Sequence, residues 1–277
     1  MHVRATAWRS VAGLIGICSF CPLLVIRNGE TQEPLLPDAV PFERLHVKVL
    51  ETLPHDPHSF TQGLEMAGAV LYESTGLVGQ STVQAGPPGA APAVRATLPQ
   101  PLFGEGITVV GAKLWQLTWR DGIAIERDGV TLAELRRVPY RGEGWGVCYQ
   151  SGRDRLVMSN GSARLTFRDR NSFAEIGGAT VSAAGHPVAQ LNELECVGDT
   201  VYANVWLTDR IVRIDSETGA VTGVVDASGL LPAVERGHAG PLNGIAGIPG
   251  TRQFILTGKL WPKEFRVEFV ADLNAPR

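Results

Sequence analysis

A repeated four-residue segment constrains the fold of this chain more than any other feature of its sequence. Five such segments recur 40 to 51 residues apart: TQGL (61–64), GEGI (104–107), GWGV (144–147), LNEL (191–194) and LNGI (242–245). Their third residue is glycine except in the fourth segment, where it is Glu193. A repeat of this length is typical of a β-propeller, in which each unit is a sheet of about four strands.

A second similar string follows each segment, so that every unit begins with a predicted β-hairpin. The second strings start eight or ten residues after the third position of the first: LYESTG (71–76), LWQLTW (114–119), LVMSNG (156–161), VYANVW (201–206) and FILTGK (254–259). The intervening turns carry glycines, which suit tight turns: Gly68, Gly111, Gly152, Gly198 and Gly250. Further alternating runs predict two strand pairs, 123–128 with 132–138 and 210–215 with 220–226.

A lone strand predicted over residues 45–52 precedes the first unit, and the last unit looks short after residues 266–270. If the N-terminal strand completes the last sheet, the ring closes without an exposed strand edge. The 32 glycines and 18 prolines of the chain fit many short strands joined by turns. The sequence therefore predicts an all-β fold, a five-bladed β-propeller that covers residues 42–277.

The first thirty residues have the pattern of a targeting segment. Arg4 and Arg9 precede an uncharged run over residues 11–26, which is marginal in length for a membrane-spanning helix. Residues 1–30 are predicted to be a signal peptide or an N-terminal membrane anchor, and residues 31–41 a linker. We therefore expect an exported protein, periplasmic or extracellular. The net charge of −3 offers no basic surface, so we expect no nucleic-acid partner and no membrane contact beyond such an anchor.

The four cysteines fall into two pairs. Cys18 and Cys21 lie inside the uncharged run, and we interpret them as part of the targeting segment rather than as a redox or metal site. Cys148 and Cys196 lie in the predicted propeller and can form one disulfide, but the sequence does not establish their distance. We interpret these two as buried thiols, with the disulfide as the alternative.

The hairpins bring two sets of residues to one face of the predicted ring, because a strand begins where its antiparallel neighbour ends. The second positions of the first strings open the strands: Gln62, Glu105, Trp145, Asn192 and Asn243. The last positions of the second strings close them: Gly76, Trp119, Gly161, Trp206 and Lys259. Residues kept for packing should look alike from unit to unit. These differ, and most are polar or aromatic, which indicates a site.

This face has the groups that an enzyme pocket needs. Indole walls make a dry pocket for a small substrate, and a few polar groups orient it. Glu105 beside apolar walls can have its charge disfavoured and serve as a general acid or base. Lys259 can stabilise a developing oxyanion. The six histidines show no metal-ligand spacing, so we predict no metal and no cofactor, and we interpret residues 55–58 as a turn.

Several longer stretches resemble the plant and bacterial type of glutaminyl-peptide cyclotransferase. They include PHDPHSFTQGLEM, FGEGITVVGAKLWQLTW, GEGWGVCY and LNELECVGDTVYANVW, in one order between about residues 45 and 270. The resemblance implies a five-bladed propeller that converts an N-terminal glutaminyl residue of a peptide or protein to 5-oxoproline and releases ammonia. It implies Glu105 as the catalytic carboxylate. The implied substrate-binding residues are Phe60, Gln62, Phe103, Trp119, Trp145, Asn192, Trp206 and Lys259.

Phe60 and Phe103 come from the resemblance alone, whereas the repeat itself singles out the other residues of this set. Relative to the family pattern, segment 84–101 looks like a floppier or longer loop. We expect a monomer. One alternative is a metal-dependent propeller lactonase, in which Glu105, Asn192 and Asn243 ring a Ca²⁺ ion. The other is an exported propeller that binds peptides without catalysis.

Overall fold

The computed structural model describes residues 42–272, which form an all-β structure. The predictions for residues 1–30 and 31–41 lie outside this described part of the chain. The first three repeats each form a four-stranded antiparallel sheet. Their strands are β2 (Thr61–Ala67), β3 (Val70–Thr75), β4 (Thr82–Gly86) and β5 (Val94–Thr97); β6 (Gly104–Val110), β7 (Lys113–Thr118), β8 (Ile123–Asp128) and β9 (Glu134–Pro139); and β10 (Val147–Gln150), β11 (Arg155–Met158), β12 (Arg164–Asp169) and β13 (Glu175–Thr180).

An eight-stranded sheet contains the last two repeats. Its strands are β16 (Leu191–Val197), β17 (Thr200–Val205), β18 (Arg210–Asp215), β19 (Val221–Asp226), β20 (Leu242–Gly247), β21 (Gln253–Gly258), β22 (Lys263–Ala271) and β1 (Glu43–Pro54). The remaining elements are a ribbon of β14 (Ser182–Ala183) and β15 (His186–Pro187) and two short 3₁₀ turns, Ser151–Arg153 and Ala233–Glu235. Among the described residues, no helix has the length and apolar character needed to cross a membrane.

The N-terminal strand completes the last sheet, as the sequence predicts. Strand β1 pairs antiparallel with β22 and, along its other edge, parallel with β19, so it joins the fourth and fifth repeats. The two predicted strand pairs after the hairpins are also confirmed, as β8 with β9 and β18 with β19. The predicted long loop over residues 84–101 is wrong in part. Strands β4 and β5 pair with each other inside this segment, so residues 87–93 form the connection between them and residues 98–101 lie beyond β5.

Glycine at the third repeat position allows neighbouring first strands to come very close. A β-carbon on Gly63 would lie 2.6 Å from the Ile107 nitrogen, and one on Gly146 would lie 2.3 Å from the Asn192 oxygen. No side chain fits such a gap, so these positions require glycine. Glu193 replaces it in the fourth repeat, where its carboxylate accepts hydrogen bonds from the backbone of Leu64 and Ile245. It thereby ties the fourth repeat to the first and fifth.

The two cysteines of the described residues form a disulfide, and the interpretation of both as buried thiols is wrong. Cys148 in β10 and Cys196 in β16 have their α-carbons 5.4 Å apart, within the usual range for a disulfide. The physical reason is the close approach of the first strands of the third and fourth repeats. Because the cross-link spans 48 residues, the loop-entropy relation assigns it roughly 4 kcal/mol of stabilisation through the unfolded state.

Candidate active site

The hairpins place the predicted residues at one edge of their sheets. In each unit, backbone hydrogen bonds connect the residues that end the second strand with the residues that begin the first strand or directly precede it. Examples are Gly76 to the Phe60 oxygen at 2.8 Å and Trp119 to the Phe103 oxygen at 3.0 Å. Gly76 has a steric role, because a β-carbon there would lie 2.4 Å from the Phe103 ring. Gly161 leaves the same kind of space for the Trp145 ring.

Three buried polar side chains from different repeats form a hydrogen-bonded chain. Lys259 Nζ donates to Gln62 Oε1 at 2.6 Å, and Gln62 Nε2 donates to Glu105 Oε1 at 3.2 Å. Each of these residues is 5% exposed or less. Gln62 therefore connects an ammonium group to a carboxyl group that the sequence separates by more than 150 residues. We call Gln62, Glu105 and Lys259 the polar floor.

Two asparagines, Asn192 and Asn243, occupy in their repeats the position that Gln62 and Glu105 occupy in theirs, and Asn243 contacts the floor. Asn243 Nδ2 donates to the Thr61 oxygen at 3.0 Å and to Gln62 Oε1 at 3.4 Å, while its buried Oδ1 has no hydrogen-bond partner among residues 42–272. Asn192 is buried at the start of β16, where its backbone oxygen accepts a hydrogen bond from Ser159 Oγ at 2.6 Å. The repeat pointed to Asn243, but the set taken from the family resemblance omitted it.

Five aromatic side chains, all partly buried, form two groups at the same edge. In the first group Phe103 contacts Phe60 edge-on, with ring centroids 6.4 Å apart, and contacts Trp119 at 5.5 Å. In the second group Trp145 and Trp206 meet edge-to-face, with their centroids 5.6 Å apart. Lys259 Nζ lies 4.8 Å from the centroid of Phe60, so the first group also contacts the polar floor.

Burial shifts the pKa values of the two charged groups of the floor toward each other. It raises the pKa of Glu105 well above its ordinary value; the Lys259 charge opposes this rise and the Glu143 charge adds to it. Burial also lowers the pKa of Lys259 to about 8, against the attraction of Glu105. Burial thus disfavours the charged form of both groups, so each gives up its charge more readily than a free side chain of its type, which suits general acid–base catalysis.

Comparison with known proteins identifies the family. Residues 23–269 match the sequence model of the family described as glutamine cyclotransferase. The chain belongs to the glutamine cyclotransferase family. It is 33% identical over 228 residues to the glutaminyl-peptide cyclotransferase of Arabidopsis thaliana, covering 80% of this chain and 71% of the relative. It is also similar to the crystal structure of Myxococcus xanthus glutaminyl cyclase, with a TM-score of 0.77 and 37% identity over 83% of this chain and 99% of that one.

The site of this cyclotransferase-family chain contains a second carboxylate, Glu143, which the repeat and the family resemblance did not single out. Glu143 Oε2 accepts hydrogen bonds from Trp119 Nε1 at 2.9 Å and Trp145 Nε1 at 3.0 Å, and its Oε1 accepts one from Arg120 Nε at 2.9 Å. The signal that could have found it is a second Gly-Glu-Gly string at residues 142–144, which repeats the string around Glu105.

A buried ion pair lies near the polar floor, to which Thr61, the residue before Gln62, connects it by donating to Glu73 Oε1 at 2.7 Å. His55 Nδ1 is 2.7 Å from the Trp261 oxygen and Nε2 is 3.1 Å from Glu73 Oε1. Since both ring nitrogens face acceptors, both must donate, and the imidazole is charged. Burial opposes this charge, but the contacts with Glu73 raise the pKa of His55 to about 9. The turn predicted over residues 55–58 is present, since Asp56 Oδ1 accepts a hydrogen bond from the His58 backbone nitrogen. That prediction did not include the ion pair between His55 and Glu73.

Two cavities are lined by residues outside the polar floor. One, of about 400 Å³, is lined by His55, Glu73 and Glu264 among others. The other, of about 660 Å³, is lined by residues that include Glu65 and Glu195. Within residues 42–272, no group of three or more His, Cys, Asp and Glu side chains is arranged to hold a metal ion.

Proposed function

We propose that this chain is a glutaminyl-peptide cyclotransferase that converts an N-terminal glutaminyl residue to 5-oxoproline and releases ammonia. The observation that carries this conclusion is the polar floor, in which Gln62 connects the buried Glu105 carboxyl to Lys259. This arrangement supplies a proton carrier and a cationic donor side by side. The Phe60 ring contacts Lys259 of this floor, and the aromatic group to which Phe60 belongs can pack against the aliphatic part of a glutamine side chain.

The reaction needs one bond formed, one bond broken and one proton moved. The α-amine nitrogen of the substrate attacks the carboxamide carbon of its own side chain, and the bond from that carbon to the amide nitrogen then breaks. The ionised Glu105 takes a proton from the attacking nitrogen and passes it to the departing one, which leaves as ammonia. Since the attack is intramolecular, holding the side chain in a folded conformation can supply several kcal/mol of the acceleration, on the order of what well-oriented intramolecular reactions show.

The other predicted residues take supporting roles in this proposal. Lys259 and Gln62 hold the carboxamide oxygen, on which negative charge develops, and Asn192 binds the backbone carbonyl of the substrate. The aromatic side chains enclose the aliphatic carbons: Phe60, Phe103, Trp119, Trp145 and Trp206. We further propose that the chain acts as a monomer.

We infer that the catalytic domain, residues 42–277, is a five-bladed β-propeller. The first strands of the five repeats support this, because they contact one another in a cycle. Strand β2 lies against β6, β6 against β10, β10 against β16, β16 against β20, and β20 against β2. With β1 as the outer strand of the last sheet, each repeat has four strands.

The disulfide supports an exported location, periplasmic or extracellular, because disulfides persist in oxidising compartments. In this proposal residues 1–30 are a signal peptide or a membrane anchor, and residues 31–41 are a linker. Fractionation of cells that express the full chain should recover it outside the cytoplasm with Cys148 and Cys196 joined. N-terminal sequencing then separates a cleaved signal from a retained anchor. Recovery of the reduced protein in the cytosol would contradict the proposal.

An ammonia-release assay tests the function directly. The purified chain should release ammonia from a peptide that begins with Gln, and the product peptide should be 17 mass units lighter, which is the mass of ammonia. The same peptide with an acetylated N-terminus should release none, because its nitrogen is no longer a nucleophile. Tight binding of the Gln-peptide without ammonia release would favour a non-catalytic binder, and activity that depends on added Ca²⁺ would favour a metal-dependent enzyme.

A further inference from the structure

Glu143 connects the two aromatic groups of the site. Trp119 belongs to the group with Phe103, and Trp145 belongs to the group with Trp206. Both indole N–H groups donate to the same carboxylate oxygen, Glu143 Oε2. A single acceptor atom thus holds the edges of two rings from different repeats within hydrogen-bond distance.

Arg120 holds this carboxylate from the outer side. Its Nε donates to Glu143 Oε1 at 2.9 Å, and its guanidinium carbon lies 3.8 Å from the centroid of the Trp119 ring. Burial alone would raise the pKa of Glu143, but the hydrogen bonds from Trp145, Arg120 and Trp119 hold it below its ordinary value. The carboxylate therefore stays ionised while it accepts the two indoles.

We propose that Glu143 is a positioning residue for the cyclisation, which holds Trp119 and Trp145 as one wall against the folded side chain of the substrate. This inference rests on the proposed function. Tryptophan rings that are free to turn would leave room for an extended glutaminyl side chain, in which the α-amine lies far from the carboxamide carbon. Fixing both rings by one acceptor removes that freedom before the substrate binds.

The same carboxylate also acts on Glu105 through its charge. Within residues 42–272, the ionisable groups that interact with Glu105 include Lys259, Glu143 and Tyr140. Lys259 lowers the pKa of Glu105, whereas the negative charge of Glu143 raises it. Removal of that charge should therefore move the acid limb of the kcat/KM profile to lower pH. A purely structural contact would leave this limb in place.

Two variants separate the hydrogen bonds from the charge. In Glu143→Gln the amide oxygen can still accept both indoles, but the charge is lost. In Glu143→Ala both are lost. We expect Glu143→Ala to raise KM for a Gln-peptide about tenfold, equivalent to about 1.4 kcal/mol. We expect Glu143→Gln to stay within about threefold of the wild-type KM, as the retained acceptor implies. Both variants should shift the acid limb to lower pH.

The matched control is Glu134→Ala. Glu134 has the same 36% side-chain exposure as Glu143 and also pairs with an arginine, Arg137, at 2.7 Å, but it lies in β9. We expect this variant to keep the wild-type KM and pH profile. Tryptophan emission gives a readout that needs no turnover, because only Glu143→Ala frees two indoles and should shift the spectrum.

A wild-type KM and spectrum in Glu143→Ala would overturn the inference, and so would equal KM losses in the Ala and Gln variants. An unmoved acid limb in both variants would overturn the electrostatic part. If the wild-type chain itself releases no ammonia, the proposed function fails instead, so the two failures can be told apart.

Discussion

Replacement of Glu105 by Gln should lower kcat for ammonia release by about 10³-fold, within the range for removal of a general acid–base group. Gln is nearly isosteric with Glu and still accepts the hydrogen bond that Gln62 donates at 3.2 Å. It cannot, however, take a proton from the attacking amine. The loss should appear in kcat with little change in KM, because binding does not need the proton transfer. Steady-state kinetics on a Gln-initiated peptide provide the measurement.

Glu264→Gln is the matched control for this experiment. Glu264 is also a buried carboxyl group whose pKa burial raises, to about 7, but it lines the cavity of about 400 Å³ rather than the polar floor. It accepts a hydrogen bond from the Gly89 nitrogen at 2.6 Å, which a glutamine oxygen can also accept. We expect near wild-type turnover from this variant. Full activity in Glu105→Gln would remove Glu105 from the mechanism.

Glu73→Gln should destabilise the fold by about 3 kcal/mol, because it leaves the charged His55 buried without its counter-ion. The Glu73 carboxylate accepts hydrogen bonds from His55, from Thr61 Oγ1 at 2.7 Å and from Gln84 Nε2 at 2.5 Å. A glutamine amide would direct N–H groups at some of these donors. For a domain of this size the loss corresponds to a fall in Tm of roughly 10 °C. Thermal and urea unfolding measure both values.

The stability difference should depend on pH in a defined direction. The pKa of His55 is raised from 6.5 to about 9. The stability that the charged His55 contributes to the fold is therefore complete below pH 6.5 and disappears as the pH rises through 9. Burial alone would raise the pKa of Glu73, but the contacts with His55 and other donors lower it from 4.5. The stability that the ionised Glu73 contributes is therefore present above pH 4.5 and disappears on acidification. The difference between wild type and Glu73→Gln should therefore be largest between about pH 5 and 6.5.

A buried carboxylate with exposed partners provides the comparison. Glu126 pairs with Lys113 and Arg136, whose side chains are about half exposed, so water can solvate both cations after the substitution. We expect Glu126→Gln to cost about 1 kcal/mol or less. A loss in Glu73→Gln that is as small, or that does not change between pH 5 and 10, would contradict the buried-pair interpretation.

The local chemistry of the strands made much of this structure predictable. Alternating runs such as residues 210–215 and 220–226 predicted strands because their side chains fit the two faces of a sheet, and they pair as β18 and β19. The turn glycines Gly68 and Gly111 have positive φ values of 62°, as tight hairpins need. The prediction of a loop over residues 84–101 was wrong for residues 84–86 and 94–97, because the many small residues of this segment hide the pairing of β4 with β5.

By itself, the sequence determined the repeat, the hairpin in each unit and the edge at which Gln62, Glu105 and Lys259 lie. A repeat shows which positions are equivalent, so it predicts which residues lie at the same edge. It carries no distance between one unit and the next. Only the tertiary structure decided that Cys148 pairs with Cys196 and that Glu143 holds two indoles, because these contacts depend on how closely separate sheets approach each other.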